Sequence, residues 1–269
     1  MITAGLKGAS VLVTGGTRGL GRAIGLEFAR VGATVFLTYH WGSEEESDVI
    51  AAFRAEGLPA PILVQANASD ADATRELMAT IKAQTGKLDA LINNVAFAKV
   101  VRGMDELSKS ALDLSLAYSA WPLVEYIQIA HQTFGRYPRY AVGISSFGGE
   151  QCFDGYDLAG VSKSVLETLC RYLAYRLKPH GVRVNAIRAW LLDTASLRAT
   201  FGDELVDTVK ARAHDIFMEP QGIARVCVAL CSGLLDAVTG QVIVADEGWS
   251  LVSPLSYLSG RGLGSEGTS

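Results

Sequence analysis

Along the chain, short runs of apolar and β-branched residues alternate with longer stretches in which apolar positions recur every three to four residues. The short runs predict strands at residues 10–14, 34–38, 62–65, 90–93, 140–145, 183–187 and 241–244. The longer stretches predict helices near residues 19–30, 44–56, 71–85, 112–134, 156–178 and 220–231. Consecutive parallel strands need a long crossover, which a helix supplies, so this alternation predicts an α/β three-layer sandwich with a seven-stranded parallel sheet. No repeat or low-complexity linker interrupts the pattern, and a single domain over residues 1–269 is expected. Residues 190–218 form a long insertion after the sixth strand, beyond the edge of the sheet where such folds bind ligands. They are the candidate substrate lid. Residues 253–269 form a tail rich in Gly and Ser.

Composition narrows the function classes. Hydrophobic residues make up 49% and charged residues 19%, a balance of globular rather than disordered chains. A net charge of −4 with no Lys/Arg stripe argues against a nucleic-acid partner. No signal-like leader and no apolar run long enough to span a bilayer is evident, so a cytoplasmic protein without membrane contact is expected. Cys152, Cys170, Cys227 and Cys231 show neither a paired ligand spacing nor a disulfide framework, so they read as buried thiols, and no metal is expected.

The first strand runs into Thr14-Gly15-Gly16-Thr17-Arg18-Gly19-Leu20-Gly21, which opens the first helix. Glycines there let backbone N–H groups approach a pyrophosphate at a helix N-terminus, the Rossmann-type arrangement. Gly15, Thr17, Arg18, Gly19, Leu20 and Gly21 are therefore candidate cofactor contacts. The ribose partner is expected about twenty residues further on, where the chain reads Thr38-Tyr39-His40-Trp41, without a carboxylate. An acid would repel a 2′-phosphate. Its absence, with Arg18 in the loop and with Tyr39 and His40 at the strand end, favours NADP(H).

Tyr156 and Lys163 stand seven residues apart, just under two helical turns, so on one helix they share a face. A phenol beside an ammonium group has a lowered pKa and can donate a proton or hydrogen bond to a carbonyl oxygen. His131, His180 and His214 have no ligand spacing and read as surface residues.

The glycine loop, Asn93-Asn94, Ser145-Ser146, Lys163 and Gly181-Val182-Arg183-Val184-Asn185-Ala186 resemble the short-chain dehydrogenase/reductase superfamily. In most of that family a tyrosine lies four residues before the lysine and thirteen after a catalytic serine. Both spacings lead to Ala159, so the usual ketone-reducing tyrosine is missing. The chain is similar instead to the branch that reduces the C=C bond of enoyl thioesters, whose tyrosine lies seven before the lysine, as Tyr156 does. The resemblance implies hydride transfer to the enoyl β-carbon, Tyr156 on the thioester oxygen, Lys163 on the nicotinamide ribose and Ser146 as an auxiliary donor. It also implies cofactor contacts from Asn94, from Asn67 and Ala68 after the third strand, and from Thr194. The chain departs from the family pattern at Val95-Ala96, at Ala117 to Ser119, where the helix asparagine is absent, and at Ala189-Trp190, where Pro-Gly is common. Trp190 is expected to reshape the substrate cavity.

The leading expectation is an NADPH-dependent enoyl-thioester reductase acting on an acyl chain carried by CoA or acyl carrier protein. An atypical ketoreductase and a catalytically inactive NADP-binding sensor or scaffold are the alternatives. On the Lys163 helix, Val161, Val165, Thr168, Tyr172 and Tyr175 form a second stripe beyond the core stripe of Leu166, Leu169, Cys170, Leu173 and Leu177. With the family resemblance, that stripe suggests a homodimer or homotetramer.

Overall fold

The computed structural model describes residues 5–40, 44–212 and 216–253. Seven strands form one sheet: β1 (Ser10–Val13), β2 (Thr34–Tyr39), β3 (Ile62–Gln65), β4 (Ala90–Asn93), β5 (Tyr140–Ser146), β6 (Arg183–Ala189) and β7 (Val242–Ala245). Their order is β3-β2-β1-β4-β5-β6-β7, and every neighbouring pair is parallel. Chain direction across the sheet reverses between β1 and β4. The connections that follow these two strands lead to helices on opposite faces of the sheet and leave the crevice in which such sheets bind ligands.

The helices are α1 (Gly19–Arg30), α2 (Glu46–Ala55), α3 (Ala71–Thr85), α4 (Lys109–Ser119), α5 (Trp121–Phe134), α6 (Asp157–Leu177), α7 (Ala195–Phe201), α8 (Asp203–Arg212) and α9 (Pro220–Cys231). The strands carry apolar residues on both faces. Val11 and Val13 pack with Ile24 and Phe28 of α1 and Ile223 and Cys227 of α9, while Leu12 joins Leu77, Met78, Leu123 and Leu166 from α3, α5 and α6. This double burial is why the strands read as continuous apolar runs rather than alternating ones.

The structure corrects the sequence reading in places. The expected helix at 112–134 is two helices: Ala120 adopts φ −121° and ψ −52°, and Pro122, in the first turn of α5, has no N–H to carry the ladder across. The apolar period continues through the break because both helices bury the same side. β5 and β6 run one and two residues further than expected, and of the added residues Ser146 and Ala189 border the crevice. Segment 190–218 folds mainly as α7 and α8, with residues 213–215 outside the described residues, and with them His214. Nearly all of the 253–269 tail lies outside them too. Cys170, Cys227 and Cys231 are buried but Cys152 is exposed. Among the described residues, no group of three or more His, Cys, Asp or Glu side chains could hold a metal ion, and no helix is long and apolar enough to cross a membrane.

Candidate active site

A cavity of about 710 Å³ opens over the carboxyl ends of the central strands. Its floor at one end is the glycine loop. Gly15 takes φ +60°, a conformation side chains disfavour, and a Cβ on Gly21 would stand 2.1 Å from the Gly15 carbonyl oxygen. The loop is tied on both sides. Asn94 Nδ2 donates to the carbonyls of Thr14 and Gly15 at 3.0 Å each, Thr14 Oγ1 accepts from the N–H groups of Asn94 and Val95 at 3.0 Å each, and Gly15 N–H donates to Thr38 Oγ1 at 3.2 Å. Asn94 thus acts on the shape of the loop. Arg18, the residue preceding α1, makes no side-chain cap, so the first N–H groups of the helix lack a side-chain acceptor. Gly15, Thr17, Arg18, Gly19, Leu20 and Gly21 all line the cavity, and a loop bare at its glycines that opens a helix without a side-chain cap fits a dinucleotide pyrophosphate.

Next along the crevice, Tyr39, His40 and Ala68 line the end expected for adenosine ribose. Two carboxylates also stand there. Glu44 lines the cavity and is ion-paired with Arg22 of α1, and Glu46 accepts a hydrogen bond from the Tyr39 hydroxyl, the main reason the Tyr39 pKa is raised. Reading only the last residues of the strand missed them, because both lie on the connection into α2 and its first turn. Asn67 lies apart from the cavity lining, and its Oδ1 accepts instead from Ser69 N–H at 3.1 Å and Ser69 Oγ at 3.0 Å.

At the other end, Ser146, Tyr156, Lys163, Trp190 and Thr194 line the same cavity. Tyr156 is the residue just before α6, and its carbonyl accepts the first helical bond, from Gly160 N–H at 2.7 Å. The Cδ1–Cε1 edge of its ring lies against Gly148, where an added Cβ would meet both atoms at 2.2 Å. Phe153 meets the ring edge-on at 6.3 Å, and Phe201 of α7 stacks on it at 6.0 Å. The insertion after β6 therefore reaches the catalytic tyrosine candidate. Trp190 packs edge-on against Phe147 at 4.6 Å, and Thr194 Oγ1 caps α7 by accepting from Leu197 N–H at 3.2 Å.

Burial dominates the electrostatics here. It raises the Tyr156 pKa above the usual phenol value, against a smaller opposing pull from the hydrogen bond with Ser146. The expected lowering by Lys163 is not found. Lys163 Nζ is turned to the carbonyl of Ile144, 2.8 Å away, and burial pulls its pKa down to about 8 while Glu167 opposes the fall. At neutral pH the pair is a neutral phenol and a largely cationic lysine. Glu167 and its partner Arg188 were not singled out from sequence. The available signal was an acid four residues after the lysine, on the same helical face.

The crevice, the glycine loop and the Tyr-Lys pair define a dinucleotide-binding oxidoreductase. The family model described as Enoyl-(Acyl carrier protein) reductase matches residues 15–250. Among curated proteins, the chain is 29% identical over 250 residues to 1-cyclohexenylcarbonyl-CoA reductase of Streptomyces collinus, covering 90% of this chain and 87% of that one. It is 31% identical over 262 residues to a tropinone reductase homolog of Arabidopsis thaliana, covering 94% and 96%. The crystal structure of enoyl-[acyl-carrier-protein] reductase (NADH) from Aquifex aeolicus superposes with a TM-score of 0.78 at 25% identity, over 92% of this chain and 98% of that one. The chain belongs to the short-chain dehydrogenase/reductase superfamily, in its enoyl reductase-like branch, and is an oxidoreductase of that type.

Proposed function

We propose that the chain is an NADPH-dependent reductase of the C=C bond of an enoyl thioester carried on CoA or an acyl carrier protein. The observation that carries this reading is the placement of the Tyr156 phenol in the cavity together with Lys163, while Ala159 occupies the position of the usual ketone-reducing tyrosine. A conjugate reduction sets the carbonyl further from the hydride acceptor than a direct one does, and a tyrosine displaced along the helix suits that distance.

When bound, the cofactor supplies the hydride. The glycine loop and the start of α1 would receive its pyrophosphate, Arg18 and His40 its 2′-phosphate, Ala68 its adenine, Lys163 its nicotinamide ribose and Thr194 its carboxamide. Arg22 offsets the charge of Glu44 at the 2′ position, which keeps the phosphate-bearing cofactor acceptable there. Tyr156, protonated at neutral pH, donates a hydrogen bond to the thioester oxygen as negative charge gathers on it, and Ser146 orients that hydroxyl. Cationic Lys163 adds positive potential at the same place. Segment 190–218 acts as the lid, with Phe201 closing the aromatic wall over Tyr156 and excluding water. Val161, Thr168, Tyr172 and Tyr175 are exposed on α6, and this stripe supports pairing with a second copy of the chain in a homodimer or homotetramer.

The Ser146–Tyr156 hydrogen bond favours one second reading, reduction of a bulky ketone, since a paired serine and tyrosine can also hold a carbonyl directly. Crotonyl-CoA and acetoacetyl-CoA assayed side by side with NADPH and NADH decide both questions. Turnover of crotonyl-CoA with a lower KM for NADPH is expected. Oxidation of cofactor with the keto substrate alone refutes the enoyl assignment, and a clear NADH preference refutes the cofactor assignment.

A further inference from the structure

Beneath the cavity lies a buried charge cluster of which the chemistry above uses Lys163 alone. Lys163 and Glu167 are one turn apart on α6, and each is nearly sealed from solvent, at 6% and 4% exposure. The two side chains reach consecutive residues of β5: Lys163 Nζ donates to the Ile144 carbonyl at 2.8 Å, and Ser145 Oγ donates to Glu167 Oε1 at 2.7 Å. In the β5–β6 register Ser145 stands opposite Arg188, whose Nε and Nη2 donate to Glu167 Oε1 at 3.0 Å and Oε2 at 2.8 Å. Such a two-pronged bond uses both oxygens of an ionised carboxylate.

We propose that Glu167 is a positioning residue for Lys163: clamped by Arg188 and Ser145, its fixed negative charge keeps the lysine cationic where the nicotinamide ribose would bind. This rests on the reading of Lys163 as a cofactor ligand. Stripping a lysine of water favours its neutral form, and Glu167 is the neighbouring charge that opposes this. The other groups facing the pair are Arg171 on α6, whose charge acts on Glu167, and Glu150 after β5, which pairs with Arg188. Cys170, three residues along α6, feels the Glu167 charge but is a neutral thiol whose pKa burial pushes up to about 12, and Tyr156, whose pKa burial raises, is neutral at the relevant pH. The Arg188 guanidinium also lies over the Phe147 ring at 5.9 Å, and Phe147 supports Trp190, so the clamp is built into the cavity wall.

A clamp that merely joined α6 to β6 would be indifferent to the charge of residue 167, and this separates the two roles. The dissociation constant of NADPH is measured by nicotinamide fluorescence from neutral to alkaline pH for the parent, Glu167→Asp, Glu167→Gln and the double variant Glu167→Gln/Arg188→Gln. The double variant leaves no stranded guanidinium, so it answers the question if Glu167→Gln alone does not fold. In the parent, affinity is expected to weaken as pH rises through the Lys163 ionisation. Loss of the carboxylate moves that midpoint down by about one pH unit, whereas Glu167→Asp, which keeps the charge, stays near the parent. A midpoint unmoved by the neutral substitutions, or moved equally by Glu167→Asp, overturns the proposal and leaves the function reading intact. Absence of binding of NADPH and NADH by the parent at every pH overturns both.

Discussion

Replacing Tyr156 by phenylalanine removes one oxygen atom and leaves its surroundings in place. The ring keeps its seat, because Gly148 meets its carbon edge and the Phe153 and Phe201 rings pack with it at 6.3 Å and 6.0 Å between centroids, contacts that phenylalanine retains. What the fold loses is the bond with Ser146, about 0.5–1.5 kcal/mol net, which corresponds to a small fall in Tm. What the reaction loses is a donor aimed at the oxygen that becomes negative, and removal of one such donor costs about 2.7–4 kcal/mol, or roughly 10²–10³ in kcat. NADPH oxidation with crotonyl-CoA should therefore fall by that factor, while the NADPH dissociation constant stays within about twofold, since the interaction removed is made in the transition state. The phenol titrates above its ordinary value and Lys163 near 8, so the alkaline limb of the pH profile should survive the substitution. A Phe variant within about tenfold of the parent in kcat refutes the assignment of Tyr156 as the oxyanion donor. Weakened cofactor binding at unchanged kcat assigns the hydroxyl to the cofactor instead.

Four further outcomes are expected. If Lys163 acts as a cation, kcat/KM for the thioester falls as pH rises through about 8, because the free enzyme loses that charge there; a profile flat across this range contradicts the role. Gly21→Ala forces a Cβ to 2.1 Å from the Gly15 carbonyl and 2.8 Å from Asn94 Nδ2, and backbone on one side cannot yield cheaply. Stability should drop by about 1–3 kcal/mol in a urea titration, with NADPH affinity reduced at least about tenfold. Arg198 bridges Asp193, Asp203 and Asp207 and so joins α7 and α8 to the strand-end loop, so Arg198→Ala should raise the thioester KM and the rate of proteolysis within 195–212; the parent KM should itself rise with salt. Asp70 caps α3, accepting from Asp72 N–H at 2.8 Å and Ala73 N–H at 3.4 Å, and does not itself line the crevice, so Asp70→Ala should cost about 1 kcal/mol in a urea titration and leave kcat unchanged.

Much of this molecule is legible in its sequence where the information is local. A parallel strand buried on both faces appears as an uninterrupted apolar run, and a glycine loop or a Tyr-to-Lys spacing is complete within eight residues of chain, so their positions follow from counting. The ends of β5 and β6 were cut short because Ser146, Arg188 and Ala189, which close them, are polar or small residues that an apolar run does not contain. Ala120 shows the opposite failure. Burial of α4 and α5 on the same side preserved the hydrophobic period across a break that only the backbone angles and Pro122 record.

The remaining features depend on register between segments distant in sequence. Arg188 meets Glu167 across 21 residues because β5 and β6 align Ser145 with Arg188 while α6 lays its inner face over both. A charged residue inside the otherwise apolar run of β6 was a visible anomaly, but its partner could be named only after strand order placed β6 beside β5. Glu44 and Phe201 escaped for a related reason, since each enters the crevice from a connection whose path is set by what it packs against. The dinucleotide cradle is thus written in short motifs, whereas the charge of Lys163 and the aromatic wall over Tyr156 emerge only from tertiary register. Paired neutralisation of Glu167 with Arg188, and substitution of Phe201, should accordingly alter pH range and substrate choice while leaving the dinucleotide cradle standing, whereas substitutions in the glycine loop should strike the cradle first.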